Sequence, residues 1–137
     1  MRIFITGTGT DVGKTLISSW LCLKMGFDYF KPIQTGQSTD SAQVRELSGT
    51  KIYPSIYSYQ APVSPHLAAA LENEIIDPTK IVLPDEPNLI IEGAGGLLVP
   101  LNKNFLMIDL IQQLNVPVII VAHSGLGTIN HTLLSLE

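Results

Sequence analysis

The sequence predicts an α/β fold: three layers, with a doubly wound, mostly parallel sheet between helices. Three observations point there. Short apolar runs such as Ile3-Phe4-Ile5, Leu89-Ile90-Ile91 and Val118-Ile119-Ile120-Val121 show no polar alternation, as expected of strands covered on both faces. Segments with helical spacing separate them. Polar or glycine-rich stretches (7–15, 34–40, 92–96 and 123–128) follow the strands directly, and in such sheets ligands collect at the carboxyl ends of the strands.

In chain order, residues 2–6 read as the first strand. A helix runs from about Gly13 to Met25, with Leu16, Ile17, Trp20, Leu21 and Met25 as its apolar face and Gly26 as its stop. Phe27 to Ile33 reads as a second strand ended by Pro32, and 34–39 as a polar turn. Ser38 or Thr39 caps a short helix over Asp40–Leu47, closed by Gly49. The proline- and tyrosine-punctuated residues 50–66 read as irregular. Pro65 then opens a helix to Glu72, as proline suits a first helical position. Another short helix starts at Asp77-Pro78, and Pro84 to Asn88 is a loop. Leu89-Ile90-Ile91 is a strand ending at Glu92, followed at once by the glycine-rich Gly93-Ala94-Gly95-Gly96. Phe105 to Leu114 reads as an amphipathic helix, and Pro117 to Ala122 as a strand apolar on both faces. Ser124 to Thr128 is a second glycine-rich turn, with a helix from Ile129. About four parallel strands result.

A 137-residue chain fits one domain, residues 1–137, and 45% hydrophobic against 15% charged residues suffices for a packed core. The net charge of −4, with no basic run, argues against nucleic acid as a partner. Cys22 is the only cysteine, which excludes an internal disulfide; among apolar helix residues it reads as a small buried hydrophobe. The longest apolar run, Val116 to Ala122, is too short to cross a membrane, and no charged leader precedes an apolar segment. The expectation is a soluble cytoplasmic chain. His66, His123 and His131 lack metal-ligand spacing. Asp109, among apolar helix neighbours, reads as a structural acid.

Thr6-Gly7-Thr8-Gly9-Thr10-Asp11-Val12-Gly13-Lys14-Thr15 lies between the first strand and the first helix. Strand, glycine-rich turn ending Gly-Lys-Thr, then helix is the setting of a phosphate-binding loop. Glycine lets backbone N–H groups close on an anion, and the helix N-terminus adds free donors and partial positive charge. Lys14 supplies a mobile cation, and the Thr15 hydroxyl suits Mg2+. The usual spacing puts glycine where Thr8 stands; Gly7 comes one residue earlier, so the loop is one residue longer. The fold class is thus that of the P-loop nucleoside triphosphate hydrolases. Mg2+ in such a site takes one or two carboxylates. Glu92, at the end of a buried strand, and Asp40, past another, are the candidates; each also has a bland role, as a satisfied structural acid or a helix-start charge. Lys31 either snorkels to solvent or points into the site, where a cation would offset charge on a transferred phosphoryl group. Position alone leaves both open.

Taken in order, the motifs resemble the dethiobiotin synthetase family of biotin biosynthesis. The stretches are 7–15, Lys31-Pro32-Ile33-Gln34-Thr35-Gly36, Ser64-Pro65-His66, Glu92-Gly93-Ala94-Gly95-Gly96 with Pro100, and Gly125-Leu126-Gly127-Thr128-Ile129-Asn130-His131. Together they cover nearly the whole chain, and the longer loop is the form this family uses. The resemblance implies an ATP-dependent ligase that joins CO2 to 7,8-diaminopelargonic acid as a carbamate. ATP phosphorylates the carbamate, and the second amine closes the cyclic urea. It implies that Lys14 and the backbone of Asp11, Val12, Gly13, Lys14, Thr15 and Leu16 hold the triphosphate. Thr15, Asp40 and Glu92 then surround Mg2+, and Lys31 is the active-site lysine. Gly93, Ala94 and Gly95 lie near substrate and nucleotide, with Thr35 against the substrate. Family members are homodimers, and the start of a helix from the other subunit, here Thr128, Ile129 and Asn130, meets the substrate's far carboxylate.

The resemblance also implies further strands and loops past Glu137, which hold adenine and complete the dimer. With the chain ending inside an apparent helix without a stop signal, the expectation is a domain incomplete at its C-terminus, with weak or no activity in this form. Rival readings are another P-loop ATPase of the group, of the partitioning or cobyrinic acid amide synthase type, and a nucleotide-binding fragment without turnover. Partitioning and amide synthase enzymes often carry a second lysine early in the loop; Thr8, Gly9 and Thr10 offer none.

Overall fold

The computed structural model of the chain describes residues 1–37 and 40–137. The helix cap expected at Ser38 or Thr39 lies outside the described residues. In chain order the elements are β1 (Arg2–Gly7), α1 (Lys14–Met25), β2 (Asp28–Phe30), β3 (Ile33–Thr35), α2 (Asp40–Ser48), β4 (Ile52–Tyr53) and β5 (Tyr57–Tyr59). There follow α3 (Pro65–Leu71), a 3-10 turn (Pro78–Lys80), β6 (Leu89–Gly96), β7 (Pro100–Asn102), β8 (Phe105–Leu106), α4 (Met107–Leu114), β9 (Val118–Val121) and α5 (Thr128–Leu136).

Five strands form the central sheet in the order β4-β2-β6-β1-β9, every pair parallel. Alternate side chains leave each strand on opposite faces. Ile3, Ile5, Tyr29 and Ile90 therefore pack with Leu21 and Cys22 of α1 and Val44 of α2. Phe4, Phe30, Leu89 and Ile91 pack on the other face with Ala68 and Ala69 of α3 and Met107, Leu110 and Ile111 of α4. The absence of alternation in the apolar runs has this cause: both faces of the central strands are buried. The three-layer, parallel α/β class is as the sequence predicts.

Several boundaries differ from expectation, each for a physical reason. The single strand expected over Phe27–Ile33 is two, β2 and β3, parted at Lys31-Pro32, because proline has no N–H for the ladder. Residues 50–66 are not wholly irregular: β4 extends the main sheet beside β2, and β5 pairs with β3 in a two-stranded parallel sheet. The strand expected to end at Glu92 runs on through Gly93-Ala94-Gly95-Gly96, the end of β6. Between the pairs Ile5↔Glu92 and Gly7↔Gly96, β1 advances two residues while β6 advances four, so the glycines make a bulge rather than a reversal. Phe105 and Leu106 belong to the hairpin β7–β8, and the helix starts at Met107. Asp109 is the structural acid expected: its Oδ2 accepts from the Leu106 N–H at 2.7 Å.

The buried face of α1 is the expected one only in part: Leu21 is buried and Ile17 packs against the core. Leu16 and Trp20 are 60% and 55% exposed, while Ser18, Ser19, Leu21 and Cys22 face the interior. The strand β9 lies at a sheet edge, with Val118 and Ile119 exposed rather than covered. None of the side chains of α5 is buried.

Candidate active site

The loop after β1 closes on itself at Gly7. A Cβ there would stand 2.6 Å from Val12 Cγ2 and 3.1 Å from the Gly9 carbonyl oxygen, so only glycine fits. This accounts for a glycine at 7 rather than 8: the longer loop makes its close approach one residue earlier. The Thr8 N–H donates to the Val121 carbonyl at 3.0 Å, tying the loop to β9. Asp11 (φ 58°) and Gly13 (φ 99°) take left-handed conformations, and Gly13 leads directly into α1. A helix's first turn leaves N–H groups without intrahelical partners. Those of α1 open onto a cleft of about 780 Å3 lined in part by Gly13, Lys14, Thr15 and Leu16. The Lys14 ammonium donates to the Gly9 carbonyl at 2.8 Å, bridging the loop's two arms. Burial, first of all, lowers its pKa; Glu92 opposes that shift and Lys31 adds to it.

Across the cleft, four side chains from four elements or their ends meet. Glu92 of β6 is 1% exposed. Its Oε1 lies 3.0 Å from the Thr15 hydroxyl and 3.2 Å from the Lys31 ammonium. Asp40, the first residue of α2, pairs through Oδ2 with the same ammonium, and its Oδ1 lies 3.3 Å from the Thr15 hydroxyl. Thr15 has one proton and two carboxylates within reach, so one of them always lacks it. Oε2 of Glu92 accepts from the Ser18 hydroxyl at 2.7 Å. Tyr29 is buried beside them. Burial, and next the charge of Glu92, raise its pKa well above the usual phenol range, and its hydroxyl has no partner at hydrogen-bond geometry among the described residues.

Lys31 is therefore not snorkelling: its side chain is 7% exposed and its ammonium is spent on two carboxylates. The break between β2 and β3 places it there, since it occupies the residue where one sheet is left and another joined. Asp40 and Glu92 are brought together with Thr15. So are Asp11, Thr35, Ala94 and Gly95, which line the same cleft. Gly93 is different. A Cβ on it would stand 2.8 Å from the Phe4 ring and 3.2 Å from Met107 Sδ, so its side-chain direction faces the core. Val12 and Thr128 line a second, smaller cleft with Thr8, Thr10, His123 and His131. Ile129 and Asn130 are exposed and line neither cleft.

Gln34, Gln37, Gln43, Ser64, Pro65 and Val99 line the main cleft without having been singled out by residue type. Gln34 and Ser64 sit inside the quoted motifs, which is the signal that could have found them. Gln34 is 5% exposed; its Nε2 donates to the Thr35 carbonyl at 2.8 Å and its Oε1 has no partner among the described residues. Ser18 had no sequence signal, being one of two adjacent serines in a helix.

No helix among the described residues is long and apolar enough to cross a membrane. A family model described as an AAA domain matches residues 1–137. The chain is 56% identical over 139 residues to the ATP-dependent dethiobiotin synthetase BioD of Lawsonia intracellularis, covering 100% of this chain and 68% of that protein. It is 47% identical over 173 residues to the ATP-dependent dethiobiotin synthetase BioD of Neorickettsia sennetsu, covering 100% of this chain and 70% of that protein. To the biotin biosynthesis bifunctional protein BioCD of Bordetella avium it is 51% identical over 142 residues, covering 98% of this chain and 30% of that protein.

Proposed function

The chain belongs to the ATP-dependent dethiobiotin synthetase family, and on that premise we propose that it carries out the carbamate route to dethiobiotin. One amine of 7,8-diaminopelargonic acid adds to CO2 and loses a proton, giving a carbamate. A carbamate oxygen attacks the γ-phosphorus of ATP and ADP departs, leaving a carbamic-phosphoric anhydride. The second amine attacks the carbonyl carbon, phosphate leaves, and the cyclic urea closes.

The observation that carries this is the junction of Lys31, Asp40, Glu92 and Thr15 at the mouth of the phosphate loop. Two anions, carbamate and triphosphate, must approach each other, and fixed cations and amide donors offset that repulsion. The loop backbone of 11–16 and Lys14 bind the triphosphate. Lys31 sits where carbamate and γ-phosphate meet, and neutralises the charge on both. Holding the carbamate, the γ-phosphate and the free amine in one cleft removes the entropy of bringing them together. Thr35 and the backbone at Gly93, Ala94 and Gly95 border the diamine.

The donor set fits Mg2+. Two carboxylates each lie within hydrogen-bond distance of one hydroxyl; all are hard oxygen donors, which is the ligand chemistry that ion prefers. Thr15, Asp40 and Glu92 would hold it, directly or through water, and when bound it neutralises phosphate charge. The enzyme works in the cytoplasm as a homodimer. Thr128, Ile129 and Asn130, at the exposed start of α5, reach the substrate's far carboxylate from the partner subunit. Thr128→Pro then raises the substrate constant and leaves ATP binding alone.

The deciding assay supplies diaminopelargonic acid, bicarbonate and Mg-ATP, and follows dethiobiotin and phosphate together. One dethiobiotin per phosphate released is the expected result. ATP hydrolysis indifferent to the diamine overturns the proposal.

A further inference from the structure

We propose that Ser18 is a positioning residue that fixes which oxygen of Glu92 faces the cleft. Ser18 is on the inner face of α1 and is 0% exposed. Helix faces that pack on a sheet are ordinarily apolar, and a buried hydroxyl is tolerated when its hydrogen bond is made. The bond it makes is to Oε2 of Glu92, at 2.7 Å. The other oxygen, Oε1, meets Thr15 and Lys31. A glutamate carboxylate turns about its last torsion with little resistance. With Ser18 holding one oxygen, the other is left in one direction, toward the phosphate loop.

The helix face is organised by this contact. Leu16 and Trp20 are more apolar than Ser18 yet lie outside. The rotation of α1 that would bury them would carry Ser18 away from Glu92. Thr15 and Ser18 are three residues apart on one helix and address the two oxygens of one carboxylate. The loop lysine's neighbour and the acid are in this way registered to each other through a single helical turn.

The inference deepens the proposed Mg-nucleotide reading of the site and rests on it. Groups behind a ligating carboxylate set its direction, and removing one commonly costs about tenfold or more in metal affinity. The test is calorimetric binding of ATP to the full chain, with and without Mg2+, for the parent, Ser18→Ala, Ser18→Thr and Ser19→Ala. For Ser18→Ala, metal-free ATP affinity should stay within about twofold. The Mg2+ concentration needed for half of the metal-dependent gain should rise about tenfold. Ser18→Thr, which keeps the hydroxyl, should return toward the parent. Ser19→Ala removes another buried hydroxyl of α1, one that donates to the Thr15 carbonyl and not to Glu92, and should leave the Mg2+ requirement where it was.

An unchanged Mg2+ requirement in a folded Ser18→Ala overturns the proposal, as does a shift of equal size in Ser19→Ala. If Ser18→Ala does not fold, Ser18→Cys, a poorer donor of similar volume, carries the same expectation at smaller size. A parent whose ATP binding gains nothing from Mg2+ fails the reading of the site itself, a different outcome from a failure of Ser18.

Discussion

The ammonium of Lys31 lies 3.2 Å from Oε1 of Glu92, and neither side chain has more than a few per cent of its surface in water. Two opposite charges taken out of solvent in this way are individually costly and mutually dependent. Asp40 shares the same ammonium from the exposed side. Lys31→Ala leaves Glu92 unpaired, so it should lower stability by about 3 kcal/mol. It should cut turnover by about a hundredfold or more while ATP affinity changes only a few-fold. Thermal melts, ATP titration and steady-state rates on one preparation measure all three. Turnover close to the parent's would remove Lys31 from the reaction.

Lys14 makes a prediction with pH. Burial, the largest cause, lowers its pKa from the usual 10.5, so the folded protein releases this proton before an unfolded chain does. Between the lowered value and 10.5 the unfolded state binds more protons, so stability from this residue rises with pH across that window. Below the window its destabilising share is fully present. Triphosphate favours the charged ammonium. ATP binding within the window should therefore take up a proton, and the heat of binding should differ between buffers of unlike ionisation enthalpy. Equal heats in both buffers would mean that Lys14 does not meet the phosphates.

The loop's glycines are not equivalent. Gly7 has no room for a Cβ, and Gly13 holds a left-handed φ of 99°, whereas a Cβ on Gly9 meets nothing within 4 Å. Gly7→Ala and Gly13→Ala should each lose about 1 kcal/mol or more of stability and most of their ATP affinity. Gly9→Ala should keep both within about twofold to threefold. Titration of the three variants with ATP, beside their melts, decides it.

The rotation of α1 can be checked in the same way. Leu21 is buried and Trp20 is 55% exposed. Leu21→Ala should cost about 2 to 3 kcal/mol, and Trp20→Ala about 0.5 kcal/mol. A cost for Trp20→Ala as large as that for Leu21→Ala in urea unfolding would put both on the buried face, as apolar spacing suggests.

That helix marks where sequence stops being informative. Apolar periodicity assigns the face by residue type, and Leu16 and Trp20 satisfy it. The buried face carries Leu21 and Cys22, with Ile17 beside them, and also Ser18, whose hydroxyl meets a carboxylate 74 residues away, a contact that no local pattern encodes. The central strands were legible because burial on both faces leaves no alternation to misread. The strands β4 and β5, two and three residues long, carry too little pattern to be seen. Gly93 to Gly96 lie past the point where the apolar run marks the strand's end; here glycine lets β6 come within 3.0 Å of the Gly7 carbonyl, measured from where a Cβ on Gly96 would stand. Thr15, Asp40 and Glu92 were legible as a group because each follows a strand or opens a helix at the same sheet edge. Lys31 was ambiguous until Pro32 was seen to part β2 from β3.

The bulge in β6 has a mechanical consequence. Glu92 pairs with Ile5 before it and Gly96 pairs with Gly7 after it, so the acid and the threshold of the phosphate loop are two points on one laced pair of strands. Neither can shift alone. An arriving triphosphate finds both already at their working separation, and its binding free energy is not consumed in assembling them.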